Sequence, residues 1–379
     1  MSSIAKAYVG ARIHDGTTLY DAHALAVDST GSARVVPTAA VPDGCPVETL
    51  GGGVIVPGFV DLQVNGGGGV MFNDHQDVAT LRTIAQAHAS TGTVAILPTL
   101  ITDTHARTRA AIDAVEQAIA EGVAGIAGIH LEGPHLSVAR KGAHDPKLIR
   151  PMEQADLALM LHAAERLPNV MVTVAPENTT PAQITAMADA GIVVSLGHTD
   201  AGFDTCMAAF AAGARCVTHL FNAMSQMGNR EPGLVGATLA HGDIYAGMIA
   251  DGIHVHPNTL RVALAAKPDP ERLFLVTDAM ATAGSPITGF SLNGREVFRE
   301  NHRLTLADGT LAGADLEMAR AVSVMVNDAG DSLASAVART SAIPAQLLRS
   351  RGTLGTLAQA LYLDADLATA VPLDHARPV

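Results

Sequence analysis

The chain has no tryptophan and only four tyrosines and eight phenylalanines in 379 residues, so aliphatic and small side chains must fill its core. Charge is also thin. Asp, Glu, Lys and Arg make up 16% of the residues, and 37 acids against 24 lysines and arginines leave a formal charge of −13. No basic run and no basic-aromatic interleaving offsets this balance, which excludes the electrostatic footprint of a nucleic-acid binder. A negatively charged small molecule would need a local basic pocket. The three cysteines, Cys45, Cys206 and Cys216, are scattered in apolar contexts. They support neither a disulfide framework nor a C-x-x-C metal clip, and are expected to be buried thiols. No apolar run approaches the ~18 residues of a membrane span. The start MSSIAKAYVGAR lacks the charged-then-apolar layout of a signal peptide. A cytoplasmic protein without membrane contact is expected.

Hydrophobic residues, at 48%, and 36 glycines dominate the rest. Short runs rich in Val, Ile and Leu begin near residues 54, 94, 125, 170, 191, 216, 244 and 272. Amphipathic stretches such as 77–91, 104–121, 153–167 and 200–213 lie between them, long enough to cross a sheet face. Eight apolar strands alternating with helices predict an α/β fold, a (β/α)8 TIM-like barrel. Residues 1–53 break the rhythm with short alternating runs bounded by Gly, Asp and Pro, and LGTLAQALYLDADLATAVPL near the end reads similarly. A small β-sandwich domain built from 1–53 and 351–379 is therefore expected beside a barrel of 54–350.

The predicted strands are apolar inside and polar at their ends: Gln63, Glu132, Glu177, His198, His219, His254 and Asp278. Catalytic groups of such barrels come from the C-terminal strand ends. Hydrolysing an amide at neutral pH needs an activated water, charge stabilisation at the carbonyl oxygen and a proton for the leaving amine; a divalent metal supplies the first two. Glu132 in HLEGP, His198 in GHTDA and His219 in THLFNAM are candidate ligands, and three protein ligands leave a position open for water. Asp278 in LVTDAM is the candidate acid/base. Each of these alone could equally cap a helix or bond the backbone, but four suitable residue types at strand ends point to a site.

The blocks PGFVDLQVNG, HLEGPHLS, KGAH, GHTDA, HLFNAM, REPGL, ADGIHVHP, LVTDAM and LAGADLEM, in that order across residues 57–318, resemble the N-acetylglucosamine-6-phosphate deacetylase family of the amidohydrolase superfamily. The resemblance implies that Glu132, His198 and His219 hold the metal, zinc foremost with iron, cobalt or manganese as alternatives, and that Asp278 is the catalytic acid/base. It implies substrate contacts from Ala143 and His144, with His144 assisting at the oxyanion. Asn222, Ala223 and His254 would meet the sugar phosphate. Arg230 would reach into the site of a neighbouring subunit, hence a homodimer. Leu311, Ala312 and Gly313 are expected to open a helix and line the acetamide end. The implied reaction gives glucosamine 6-phosphate and acetate. An N-acetylgalactosamine 6-phosphate or unphosphorylated acetamido-sugar deacetylase remains open, as does a catalytically silent barrel, against which the retained ligands argue.

Some positions depart from the family pattern. His135 stands where an aromatic residue is common and is expected on the pocket wall; Glu317 replaces a usual Thr; and the tail lacks a Gly-Lys-Asp-Ala-Asp pattern. GGGV at 51–54 and NGGGGV at 65–70 have neither phosphate-loop nor dinucleotide spacing and are expected to be a domain junction and a strand-to-helix turn. Met224, Met227, Met248 and Met280 are expected to pack. In two-metal relatives an H-x-H pair occupies the end of the first strand, where this chain has Gln63 and Asn65. Amides are poor ligands for divalent transition metals. One metal per subunit is therefore expected, with Gln63 reaching it through a water and Asn65 orienting the loop.

Overall fold

The computed structural model describes residues 4–377. Its centre is an eight-stranded parallel sheet in sequential order: β1 Phe59–Val64, β2 Thr93–Ile101, β3 Ile129–Glu132, β4 Val170–Val174, β5 Val193–Leu196, β6 Cys216–Val217, β7 Tyr245–Met248 and β8 Leu273–Leu275. A parallel bridge from Val64 to Ala279, just beyond β8, brings the two edges together. The (β/α)8 barrel is thus as expected, and crossover helices including Val78–Ala89, His105–Ala120, Gln154–Arg166 and Phe203–Ala211 occupy the predicted amphipathic stretches. Local chemistry fixes their starts. Asp77 caps the first by accepting from Thr80 N, and Thr180 with Gln183 forms a capping box on Pro181–Asp189.

The run beginning at Val54 is two strands, not the single barrel strand expected. Val54–Pro57 sits in a five-stranded sheet, between Ala360–Leu363 and Arg12–His14. The chain then turns at Gly58, where an added Cβ would lie 2.4 Å from a Val94 methyl, and enters the barrel. A four-stranded sheet holding Ile4–Val9, His23–Asp28, Ala33–Pro37 and Val47–Thr49 faces the five-stranded one. Tyr8, Ile13, Leu25, Ile55 and Leu373 share the core between these sheets, which form the β-sandwich.

Residues 289–314 were not anticipated as a unit. Gly289–Leu292, Arg295–Glu300, Arg303–Leu306 and Leu311–Ala314 form an antiparallel sheet whose core includes Leu292, Val297, Leu304 and Ala312, together with Met71, Ile101 and Met280 from the barrel mouth. It is a lid over one side of the opening. Residues 311–313 therefore lie on a strand; the next helix begins only at Met318.

The barrel interior is less apolar than expected. His130 Nδ1 donates to Leu62 O at 3.0 Å, so its Nε2 accepts from Thr173 Oγ1 at 2.7 Å. Thr218 and Ser195 extend this hydroxyl chain in two further 2.7 Å steps. Burial pushes the His130 imidazole down to about 4, so it is neutral and its hydrogens are fixed by these partners. Strands β1, β3, β4 and β5 and the residue that follows β6 are thereby pinned together beneath the mouth.

Two other expectations change. Cys45 is only part-buried, unlike Cys206 and Cys216, and Met227 is 58% exposed while Met224, Met248 and Met280 pack. Cys45 and Met227 both lie in loops outside the core. NGGGGV makes a tight hairpin, Gly66–Gly67 against Val70–Met71. A Cβ on Gly66 would lie 2.7 Å from Met71 Sδ and 2.9 Å from Ala281 N. Among the described residues, no helix is long and apolar enough to cross a membrane.

Arg339 ties the C-terminal helices to β8. Its buried guanidinium donates to Asp331 at 2.8 Å and to Leu273 O at 2.8 Å, and also to Pro270 O. Removing it strands a nearly buried carboxylate. Arg339→Met is expected to lower stability by about 3 kcal/mol in urea unfolding; a loss within the ~0.5 kcal/mol of an ordinary surface change would show that the pair is not a structural tie.

Candidate metal centre and active site

The site lies at the C-terminal ends of the strands. Glu132 ends β3, His198 and His219 follow β5 and β6 by two residues, and Asp278 follows β8 by three. The last three have positive φ, 47° at His198, 32° at His219 and 52° at Asp278. L-residues adopt that region at a cost, and it persists where the surroundings over-determine it. Here the sharp bend at each strand end turns the side chain inward across the mouth.

Among the described residues, Glu132, His198 and His219 form the one group whose possible ligand atoms all lie within 4.8 Å of one another, and all three are buried. His198 Nδ1 donates to Arg140 O at 2.8 Å, which leaves a lone pair on Nε2. That Nε2 lies 3.1 Å from His219 Nε2, and both face Glu132 Oε1, at 3.2 and 3.1 Å. The two Nε2 atoms and the carboxylate oxygen thus converge on one point, as the ligands of a cation would. Nitrogen and carboxylate donors of this kind suit a divalent transition metal. Burial alone would raise the Glu132 carboxyl, but the two imidazoles hold it well below the usual range. Burial would lower His219, and Glu132 outweighs it and raises the ring.

Asp278 is wrapped by donors. Asn65 Nδ2 donates to its Oδ1 at 2.7 Å and Gln63 Nε2 at 3.2 Å, while the same Gln63 amide lies 3.2 Å from Glu132 Oε1. Of the two amides that replace H-x-H, Gln63 bridges the two carboxylates and Asn65 bonds Asp278, so Asn65 does more than orient its loop. Burial, with Glu132 adding to it, pushes the Asp278 carboxyl up to about 6. Behind it, buried Asp61 accepts from Gln63 N at 3.2 Å and from the hydroxyl and N–H of Thr277, linking β1 to the residue before Asp278. Sequence reading passed over Asp61, although its type is unusual in an apolar strand.

His144 closes another side. Its Nδ1 accepts from Thr102 N at 3.3 Å and lies 2.8 Å from Thr102 Oγ1. The hydrogen is therefore on Nε2, 3.9 Å from Glu132 Oε2. Burial and the neighbouring His198 push this ring down to about 3, so it is a neutral donor. His254 Nδ1 lies 2.7 Å from Asp251 Oδ2, and Asp251 also accepts from the N–H groups of 253 and 254.

These groups surround a cavity of about 390 Å³ whose lining includes Asn65, Ala143, Asn222, Ala223, Leu311 and Gly313. Ala312, between the last two, is fully buried in the lid core rather than the cavity wall, because alternate residues of a strand face opposite sides. Gly313, at φ 68°, lies where a Cβ would meet Met280 Cγ at 2.4 Å. His135 is not on the cavity wall. It is buried elsewhere, bonded to Arg150 O at 3.1 Å, with its Nε2 3.9 Å from Asp156. Glu317 is likewise outside the cavity lining, and Glu177 accepts from Thr199 Oγ1 and from Asp200 N at 2.8 Å. Arg230 is exposed and does not line its own chain's cavity. Its neighbour Glu231 accepts from Phe203 N and Gly233 N instead of pairing with it.

The model of the amidohydrolase family matches residues 54–360. The chain is 44% identical over 319 residues to N-acetylgalactosamine-6-phosphate deacetylase of Shewanella sp. (strain ANA-3), covering 84% of this chain and 80% of that one. It is 34% identical to N-acetylglucosamine-6-phosphate deacetylase of Haemophilus influenzae, covering 85% and 84% of the two. Among solved structures, N-acetylglucosamine-6-phosphate deacetylase from Pasteurella multocida superposes with a TM-score of 0.89 at 32% identity, covering 96% of each chain.

Proposed function

The chain belongs to the amidohydrolase family, and from that premise we propose that it hydrolyses the acetamide of N-acetylglucosamine 6-phosphate to glucosamine 6-phosphate and acetate. The observation that carries this reading is the buried convergence of Glu132, His198 and His219 beside Asp278. A divalent ion held by those three residues supplies, when bound, Lewis acidity that polarises a carbonyl and acidifies a water. Asp278 accepts the proton of the attacking water and returns it to the departing amine, which needs one carboxyl ionised first and protonated next. A carboxyl raised to about 6 is suited to both steps. The Nε2–H of neutral His144 donates to the amide oxygen as charge develops there. Gln63 and Asn65 hold Asp278 in line, and Gln63 would meet a bound ion through a water rather than as a direct ligand.

The phosphate falls to Asn222, Ala223 and His254, with Arg230 supplied by a second subunit of a homodimer. Ala143, Leu311 and Gly313 bound the acetamide side, and Ala312 supports them from the lid. Zinc is the foremost ion, with iron, cobalt or manganese able to occupy the same donors, and the setting is cytoplasmic. The 44% identity to a relative named for the galactosamine epimer favours a second reading in which the C4 hydroxyl is axial. Steady-state rates on both 6-phosphates decide between them: the epimer with the higher kcat/KM is the substrate, and no acetate release from either sinks both readings.

Asp278→Asn should lower kcat by about 10³-fold with metal content retained; near-normal turnover would remove Asp278 from the chemistry. Since only the ionised carboxyl accepts the first proton, kcat/KM should fall as pH drops through about 6 or somewhat below, a bound cation adding to the groups that hold Asp278 ionised. The Asn65 hydrogen bond lowers that carboxyl, so Asn65→Ala should move the acid limb upward. Metal analysis should find one equivalent per chain in the wild type and far less in His198→Ala or Glu132→Gln. Two tightly held equivalents would overturn the single-ion reading.

A further inference from the structure

Arg140 stands where the cavity needs positive charge. Among the described residues that line the cavity it is the one guanidinium, and no lysine joins it. The chain as a whole is strongly acidic, at −13, so a dianionic ester gains little from the overall field. Arg140 ends the short 3-10 turn Val138–Arg140, and its Nε donates to Asp200 at 2.8 Å. That ion pair is half-exposed, with side-chain exposures of 37% and 50%, and engages one of the five N–H donors of the guanidinium. The two terminal nitrogens remain available. The segment also lies against the end of the cavity formed by Ala223: a Cβ on Gly142 would be 4.0 Å from the Ala223 Cβ and 3.3 Å from His198 Cε1.

We propose that Arg140 is a phosphate-binding residue contributed by the chain's own subunit, and that it sets the preference for a 6-phosphorylated over an unphosphorylated acetamido sugar. This rests on the deacetylase reading above. The fork of a guanidinium matches two phosphate oxygens, and a charge-assisted pair of this kind is stronger than a neutral hydrogen bond. Asp200 holds the side chain by its Nε, which leaves both terminal nitrogens for a phosphate. The backbone of the same residue has a separate duty, since Arg140 O accepts from His198 Nδ1. A side-chain substitution leaves that carbonyl in place.

Arg140→Gln and Arg140→Lys should therefore keep one metal equivalent and the wild-type rate on N-acetylglucosamine without phosphate. The Gln variant should raise KM for the 6-phosphate about tenfold with little change in kcat, and should weaken competitive inhibition by inorganic phosphate by a similar factor. The Lys variant should recover part of both. Asp200→Asn removes the ion pair but not the guanidinium, and should retain most of the phosphate preference; a loss in Asp200→Asn as large as in Arg140→Gln would mean that the ion pair, not the guanidinium, is responsible. If the wild type prefers the phosphate and Arg140→Gln keeps that preference, or loses rate equally on both sugars, this inference is wrong while the deacetylase reading stands. A wild type that deacetylates both sugars equally well overturns the phosphate reading itself, and this inference with it.

Discussion

A carboxylate buried at the mouth of a closed barrel has to be compensated, and the compensation of Glu132 organises everything around it. Water is largely excluded there, so an unpaired charge would be costly. Two imidazoles face the same oxygen at 3.1 and 3.2 Å, and one of them, His198, is fixed by Arg140 O as a lone-pair donor toward it. An arrangement of that kind suits a cation. The bent backbone at His198, His219 and Asp278 and the hydroxyl chain under β3 to β6 support the donors.

The amides at the end of β1 follow from the same charge accounting. Glu132 and Asp278 together carry two negative charges when ionised, which one dication neutralises. Imidazoles at 63 and 65 would bring lone pairs able to recruit a second dication and leave the cluster positive. Gln63 and Asn65 bring N–H donors instead, and these go to the two carboxylates. This pattern of donors accords with the single ion proposed above and with a carboxyl at 278 that carries a proton.

Much of this was legible in the sequence. Apolar strand runs with polar ends located the barrel and its strand-end face, where Glu132, His198, His219 and Asp278 do come together. Three things were not. The lid sheet reads locally as alternating strands and turns, and nothing in that pattern says that it folds over the mouth. The run at Val54 is continuous in hydropathy, and only the contact of Gly58 with Val94 divides it between two sheets. His135 looked like a pocket residue because it adjoins HLEGP, yet the chain turns away after Glu132 and sends that ring toward Arg150. Each miss concerns direction in space, which periodicity does not encode. Asp61 and His130 are different: buried polar residues inside apolar runs are a visible signal, and each supports a neighbour of the site.

The segment 138–144 is where these supports meet. The carbonyl of Arg140 orients His198, the carbonyl of Ala143 receives Arg295 from the lid sheet, and the ring of His144 is set by Thr102 at the end of β2. A contact that orients His198, a contact to the lid and the contact that sets the His144 ring therefore share seven consecutive residues. The backbone that receives Arg295 from the lid sheet is thus also the backbone that aims His198 and His144, so the lid and the mouth of the barrel share one support.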